Sequence, residues 1–426
     1  KRTVGPVRTA LERTLNILDR YGLEMEMGHK EVGGVKAKMG HSGHYDHIME
    51  QLEVDWKYSD ALQAADNEKQ VKYIVRDIFR LHGLDVTFMA KPMEGVAGSG
   101  EHTHLGLAAK LRDGRVVSMF SSKDGKDFLN VIGYGALMGI LNNYEVINPF
   151  ISATNDAFNR LKPGFEAPVC TVTSMGHSVE APSRNRTVLA GLIREAGNPL
   201  ATRFELRSPN PNSNTYLVIA ASYMAMLDGI RAAVTAGKTP AELEKSISKK
   251  KGEEDFYLET GREYRSEKDV FAHYTPEERD DIFGRPPETV WENITAFDKY
   301  PEKLEIFKSG GVMTDIVLES YREAIVNQWA TELYNRIIPN AMDTVRSCRK
   351  LHNESATDYD IGMWAKISAQ RDKIAKNTMN KFCILKKISD ALDKADYNLA
   401  SRLQLEAQRE IRKLIDMYSS YKRNLL

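Results

Sequence analysis

Apolar residues recur along this chain in two rhythms, and the switches between them mark its elements. Over residues 9–21, Leu11, Leu15, Ile17 and Leu18 form a helical stripe that Gly22 closes. Leu23-Glu-Met-Glu-Met27 then alternates as a half-buried strand does. Gln51-Leu-Glu-Val-Asp-Trp-Lys-Tyr58 alternates again and puts Gln51, Glu53, Asp55 and Lys57 on one face. Ser59 or Asp60 can cap a helix over 61–82, which Gly83 ends. Strands are expected over 85–90, 116–120 and 202–207, the last setting Arg203, Glu205 and Arg207 opposite Phe204 and Leu206. Residues 128–141 read as an apolar helix in which Gly133, Gly135 and Gly139 permit close packing, broken at Asn148-Pro149. Asn214 starts a core helix reaching Ile230, and 246–288 is charged and loop-like. Beyond it, Tyr321, Ile325, Trp329, Leu333 and Ile337 recur every four residues up to a break at Pro339. Ile374, Phe382, Leu385, Ile388, Leu392, Leu399, Leu403, Ile411, Leu414 and Tyr418 continue the stripe in a last long helix. The pattern separates a region of mixed strands and helices over 1–290, with a charged insertion at 246–288, from a helical hairpin over 291–426.

Composition narrows the class. A chain that is 42% hydrophobic and 28% charged is globular and can bury a core. Lys+Arg and Asp+Glu are equal at 59 each, so no global field favours nucleic acid. Cys170, Cys348 and Cys383 are odd in number and far apart, which argues for a reducing, cytoplasmic setting rather than a disulfide framework. The longest apolar run, 216–227, is too short for a bilayer, and no membrane partner is expected. The first residue is Lys1 rather than Met, so upstream sequence is expected.

Candidate chemistry centres on Lys91-Pro-Met-Glu-Gly-Val-Ala-Gly-Ser-Gly-Glu-His-Thr-His-Leu-Gly-Leu107. Gly95, Gly98 and Gly100 let the backbone approach a bound group, and an extended conformation would put His102 and His104 on one face. No Gly-Lys-Ser/Thr ending follows, so this is not a P-loop, and an ordinary loop before a strand remains open. His41, His44 and His47 invite a zinc reading, but without cysteine or helical spacing a solvated loop is the simpler account. Elsewhere, Glu31, Glu53, His102 and Glu205 are of the type that holds Mg²⁺ or Mn²⁺. Arg160, Arg186, Arg203 and Arg207 are of the type that grips carboxylate and phosphate. An enzyme joining ATP, an acidic substrate and metal needs both sets.

Six ordered blocks then carry a resemblance. Lys91-Pro-Met, Gly98-Ser-Gly and His102-Thr-His104 resemble the ATP-binding signature of glutamine synthetases. Asn159-Arg-Leu-Lys-Pro-Gly-Phe-Glu-Ala-Pro-Val169, Ser183-Arg-Asn-Arg186 and Arg203-Phe-Glu-Leu-Arg-Ser-Pro-Asn-Pro211 are similar to that family's other blocks, in its order. His29-Lys-Glu-Val32 and Gln51-Leu-Glu-Val54, followed by Asp60-Ala-Leu-Gln-Ala-Ala-Asp66, complete the set over roughly residues 10–235. The last third resembles, more loosely, the helical extension of the larger bacterial members.

The resemblance implies an α+β catalytic domain, a curved, mainly antiparallel sheet backed by helices, followed by a helical extension, and a residue-by-residue set of roles. Glu31 and Glu53 match ligands of a first divalent metal, and His102 and Glu205 match ligands of a second that holds the ATP phosphates. Arg160 matches the arginine on the glutamate α-carboxylate, beside the Gly98 backbone. Arg186 and Arg207 match the pair on the γ-phosphoryl group and γ-carboxylate, and Glu166 matches the flap glutamate that takes a proton from ammonium. Tyr58, His104 and Arg203 match nucleotide contacts. The implied reaction makes glutamine from glutamate, ammonia and ATP through γ-glutamyl phosphate, in a homo-oligomer of stacked rings, a dodecamer at full length.

Some of the family's pattern is missing. Its N-terminal sheet domain, two further metal-binding glutamates and an aspartate lent to the neighbouring subunit have no match here, so this stretch alone is expected to be inactive. Ala97 stands where an asparagine is frequent, and no counterpart of the adenylylated tyrosine is found among Tyr257, Tyr264 and Tyr274. Two rivals are a γ-glutamyl-amine ligase and a non-catalytic structural or regulatory homologue. The Glu166 motif favours ammonia over an amine, and joint retention of the metal and arginine sets argues against the second rival.

Overall fold

A computed structural model describes residues 5–35, 49–93, 95–123, 125–162, 168, 170–183, 185–195 and 197–424. His41, His44 and His47, and with them the zinc reading, lie outside the described residues. The protein mixes helix and sheet and divides into two compact units: Lys1–Pro286 with Phe297–Thr314, and Pro287–Ala296 with Asp315–Leu426.

The first unit opens with α1 (Gly5–Arg20), β1 (Met25–Val35), β2 (Met49–Trp56) and α2 (Ala61–Leu81). β1 and β2 pair antiparallel, with His29 opposite Glu53. The alternation of β2 has a direct cause. Leu52, Val54 and Trp56 turn toward apolar residues of α1 and α2, among them Leu11, Leu18, Val71 and Phe79. Gln51, Glu53 and Asp55 are thereby left on the opposite face.

Next come β3 (Thr103–Leu105), β4 (Ala108–Lys110), β5 (Val116–Ser118), α3 (Val131–Asn142), α4 (Tyr144–Ile151), α5 (Asn155–Arg160), β6 (Cys170–Ser174), β7 (Val188–Glu195), β8 (Asn198–Leu206) and α6 (Thr215–Thr235). A four-stranded sheet runs in the order β3-β8-β7-β6. Its β3–β8 and β7–β8 pairs are antiparallel, and its β6–β7 pair is parallel. Phe204 of β8 is fully buried and stacks on Phe120 with ring centroids 4.9 Å apart. Glu205, next along, therefore emerges on the other face. α3 and α6 pack backbone against backbone. A Cβ on Gly139 would lie 2.0 Å from the Ala225 carbonyl, and one on Gly229 would lie 2.1 Å from the Gly135 carbonyl. Only glycine permits that approach.

Several local expectations change. No strand forms over 85–90; the stretch is held instead by Ala90 N donating to Asp156 Oδ2 at 2.7 Å. The break after α3 falls at Asn143, and Pro149 sits inside α4, where burial of Phe150 against Phe297 and Phe307 outweighs one missing helix bond. α6 runs past Ile230 to Thr235. Its length and mean hydropathy of 1.5 suffice to cross a bilayer, but half of that window is buried in the protein, as in a core helix. The charged stretch contains α8 (Pro276–Phe283), preceded by α7 (Pro240–Ile247). Each is opened by a capping box, Thr239 with Glu242 and Thr275 with Glu278.

In the second unit, after helix Asp315–Glu332, the helices Ile338–Ser347, Asp358–Ala375, Ile384–Asp393 and Tyr397–Lys422 enclose a core that includes Ile367, Ile374, Leu385, Ile388, Leu414 and Tyr421. Pro339 does not end its helix. A π turn at Leu333–Ile337 widens the coil just ahead of the ring and removes the clash. The last helix of the sequence reading is interrupted at 376–383 and again near Ala395, which takes φ +53°. Phe382 falls in the first interruption and is exposed.

Candidate active site

The face of β2 opposite its apolar side carries the first cluster. His29 Nε2 is 2.8 Å from Glu31 Oε1 and 3.5 Å from Glu53 Oε2. Ligand atoms of all three lie within 4.8 Å of one another. Burial pushes the Glu53 carboxyl up to about 7, aided by the nearby Asp55 charge and by the hydrogen bond and charge of Glu31. Such crowding of acids is what a divalent cation relieves, and two carboxylates with an imidazole fit one. The pair Glu31 and Glu53 was expected; His29 was not. Only half of its signal was available in the sequence: His29 and Glu31 are two apart on one strand, whereas the register that sets His29 opposite Glu53 shows only in the ladder.

The second cluster gathers at Glu205. Its Oε1 lies 3.2 Å from His102 Nδ1 and 2.7 Å from Arg207 Nη1. Burial raises the carboxyl, but the His102 hydrogen bond and the Arg207 charge outweigh it and hold Glu205 at about 2, ionised at neutral pH. His104 sits directly across the ladder from Glu205, and its Nδ1 accepts from Arg203 Nε at 3.0 Å. Burial lowers both histidines, helped at His104 by the Arg203 charge. The two imidazoles therefore have different partners, His102 a carboxylate and His104 a guanidinium.

Arg160 ties the glycine loop to the end of β8. Its Nη1 donates to the carbonyls of Ser208 (2.8 Å) and Pro209 (3.3 Å), and its Nη2 to that of Arg207 (2.9 Å). Burial and the Arg207 charge bring Arg160 down to about 10, still a cation at neutral pH. A Cβ on Gly98 would lie 2.5 Å from the Ala90 carbonyl and 2.9 Å from Arg160 Cγ. One on Gly100 would lie 2.6 Å from Arg160 Nη2 and 3.0 Å from His102 Nε2. Gly98 is thus required by the Ala90 backbone and the Arg160 stem, and Gly100 leaves room for the ends of the Arg160 and His102 side chains. Gln51 Nε2 donates to the Gly98 carbonyl at 2.8 Å and so joins the face of β2 to the same loop. The Asp55 carboxyl, raised by burial and lowered by His29, also feels the field of His102.

The remaining residues are placed less centrally. Arg186 is exposed, and its carbonyl accepts from Arg207 Nε at 3.1 Å. Tyr58 is 88% exposed just beyond β2, with no hydrogen bond or ring contact to His104 or Arg203 among the described residues. Glu166 lies outside the described residues. One buried group escaped the sequence reading. Glu101 meets Lys72 (3.0 Å) and Thr215 (2.9 Å), tying α2, the glycine loop and the start of α6 together beside His102.

The profile of the glutamine synthetase catalytic domain matches residues 6–260. The chain belongs to that family. The glutamine synthetase of Clostridium saccharobutylicum is 36% identical over 234 residues, 54% of this chain and 44% of its own. That of Frankia alni is 35% identical over 215 residues, 50% of this chain and 40% of its own. That of Sulfolobus acidocaldarius is 34% identical over 227 residues, 53% and 43% respectively. The chain spans less than half the length of these curated relatives. Within the glutamine synthetase family, the matched stretch holds both clusters and Arg160, whereas the helices from 315 onward lie beyond it.

Proposed function

We propose that this chain supplies the ATP-, glutamate- and metal-binding part of a glutamate–ammonia ligase, acting through γ-glutamyl phosphate in the cytoplasm. The observation that carries the reading is the convergence of Glu205, His102 and Arg207 with Arg160 behind Gly98 and Gly100, and of Gln51 beside Glu53 on the same loop. Glu31 and Glu53, with His29 beside them, would hold one divalent ion, and His102 and Glu205 a second; Mg²⁺ or Mn²⁺ there would neutralise phosphate charge. Arg207 has a donor beside Glu205, suited to steady the transferring γ-phosphoryl group, and Arg186 is the partner we assign it. Arg160, with the Gly98 backbone, orients the glutamate α-carboxylate. His104, Arg203 and Tyr58 contact the nucleotide. Glu166 closes the site, excludes water from the acyl phosphate and accepts the ammonium proton. The catalytic region is 1–290, its scaffold a curved, mainly antiparallel sheet, with the helical segment of 291–426 as an extension. Sites complete themselves between neighbours in stacked rings.

Calorimetric titration of this chain with Mn²⁺ and ATP tests the reading without requiring turnover. ATP should bind only with the metal present, Glu53→Gln should remove one Mn²⁺ equivalent, and Glu205→Gln should weaken ATP. Metal-independent ATP binding, unaltered in both variants, would sink it.

A further inference from the structure

We propose that residues 264–270 form a strap whose Glu267 is a positioning residue for the loop that carries Arg186. The proposal rests on the role given above to Arg186. The strap lies beside β6, at the edge of the four-stranded sheet. Thr173 N donates to the Tyr264 carbonyl (2.8 Å), and Ser266 N donates to the Thr173 carbonyl (3.0 Å). This is a short parallel bridge between Thr173 and Arg265.

From that bridge the Glu267 carboxylate reaches the start of the loop after β6. It accepts from Met175 N at 3.1 Å, Gly176 N at 3.0 Å, the Ser174 hydroxyl and Arg265 Nε at 2.9 Å. Two successive backbone N–H groups, a hydroxyl and a guanidinium make a nest for an anion, and the protein fills it with its own side chain. Arg265 closes the arrangement by donating to the Gly176 carbonyl at 2.8 Å. Ser174 also meets Ser183 through its hydroxyl, so the nest is coupled to the far end of the loop.

At that far end the strap grips again. Asn185 Nδ2 donates to the carbonyls of Ser266 (3.2 Å) and Lys268 (2.8 Å), the two residues flanking Glu267. Val270 N donates to Thr187 Oγ1 at 3.0 Å. Arg186 stands between Asn185 and Thr187, and its own carbonyl is taken by Arg207. Both neighbours of Arg186 are therefore held by the strap, and the strap is held by Glu267. Nothing in the reaction proposed above uses Glu267. Its side chain is only 14% exposed and faces the loop.

The test uses amide hydrogen exchange and nucleotide binding on wild type, Glu267→Ala, Glu267→Gln, Arg186→Ala and the double variant Glu267→Ala/Arg186→Ala. In Glu267→Ala, exchange at Met175, Gly176, Asn185, Thr187 and Val270 should rise about tenfold or more, the effect of losing one hydrogen bond to a charged group. The preference for ATP over ADP in the presence of Mn²⁺ should fall as it does in Arg186→Ala, with no further loss in the double variant. Glu267→Gln, which keeps one carbonyl acceptor, should fall between. Unchanged exchange at Asn185 and Thr187 in Glu267→Ala overturns the proposal. So does loosened exchange with an intact ATP preference, if Arg186→Ala has lost that preference. An Arg186→Ala variant that keeps full preference refutes the role given to Arg186 and leaves the exchange data to decide the strap.

Discussion

Replacing Arg160 separates what this residue does for the fold from what it does for a substrate. Arg160→Met keeps much of the stem that packs on Gly98 but removes the donors to Arg207, Ser208 and Pro209 carbonyls. The Pro209 carbonyl keeps a partner, because Glu101 N donates to it at 2.9 Å. The carbonyls of Arg207 and Ser208 lose theirs inside the protein. At about 1–3 kcal/mol for each of the two buried acceptors left unsatisfied, the substitution should cost about 2–6 kcal/mol. That is well above the ~1 kcal/mol of a typical point change. Arg160→Lys should recover roughly half, since one ammonium can reach some but not all of three carbonyls arranged for a planar fork. The readout is urea-dependent hydrogen exchange of α3 and α6. Tryptophan fluorescence would report mainly the other unit, because three of the four tryptophans, Trp291, Trp329 and Trp364, lie there and only Trp56 shares the unit of Arg160. A cost below about 1 kcal/mol for Arg160→Met, or equal costs for Met and Lys, would refute the reasoning. The carbonyls would then not depend on the guanidinium.

Gly139→Ala should destabilise the first unit by about 1–3 kcal/mol or more, whereas Gly261→Ala, with nothing within 4 Å of its new methyl, should stay within about 0.5 kcal/mol; equal urea midpoints would contradict the helix contact. Glu267 predicts a pH dependence. Burial raises its carboxyl, but bonds from Ser174, Arg265, Met175 and Gly176 outweigh that and hold it below the ordinary 4.5. A depressed acid stabilises above its unfolded value and loses that contribution as pH falls through the lower, folded one. Protection at Met175 and Gly176 should therefore persist at neutral pH and fade only below about 4.5, while in Glu267→Gln it should be weaker and flat; a wild-type profile already fading at pH 6 would be inconsistent. Finally, on the proposal that sites complete themselves between neighbours, residues 1–426 by themselves should form little or no γ-glutamyl hydroxamate. Robust hydroxamate formation would show that the residues present suffice.

Much of the first unit could be read from local rhythm. The alternation of 51–57 already separated Gln51, Glu53 and Asp55 from Leu52, Val54 and Trp56, and the glycines of α3 already announced a close helix crossing. These features are legible because strand and helix periods are properties of the local backbone. Proline signals were less dependable. Pro149 and Pro339 both lie within helical turns, since burial at one and a π turn at the other override a local preference. The site was legible as a set of residue types, several of which the structure brings together. What only the tertiary structure decided is who meets whom: Arg160 on carbonyls 47 to 49 positions later, His29 against Glu53, and Glu267 in a nest more than 90 positions earlier. Such contacts leave no periodic trace, because they arise when chain closure brings distant segments together and each buried donor must find an acceptor.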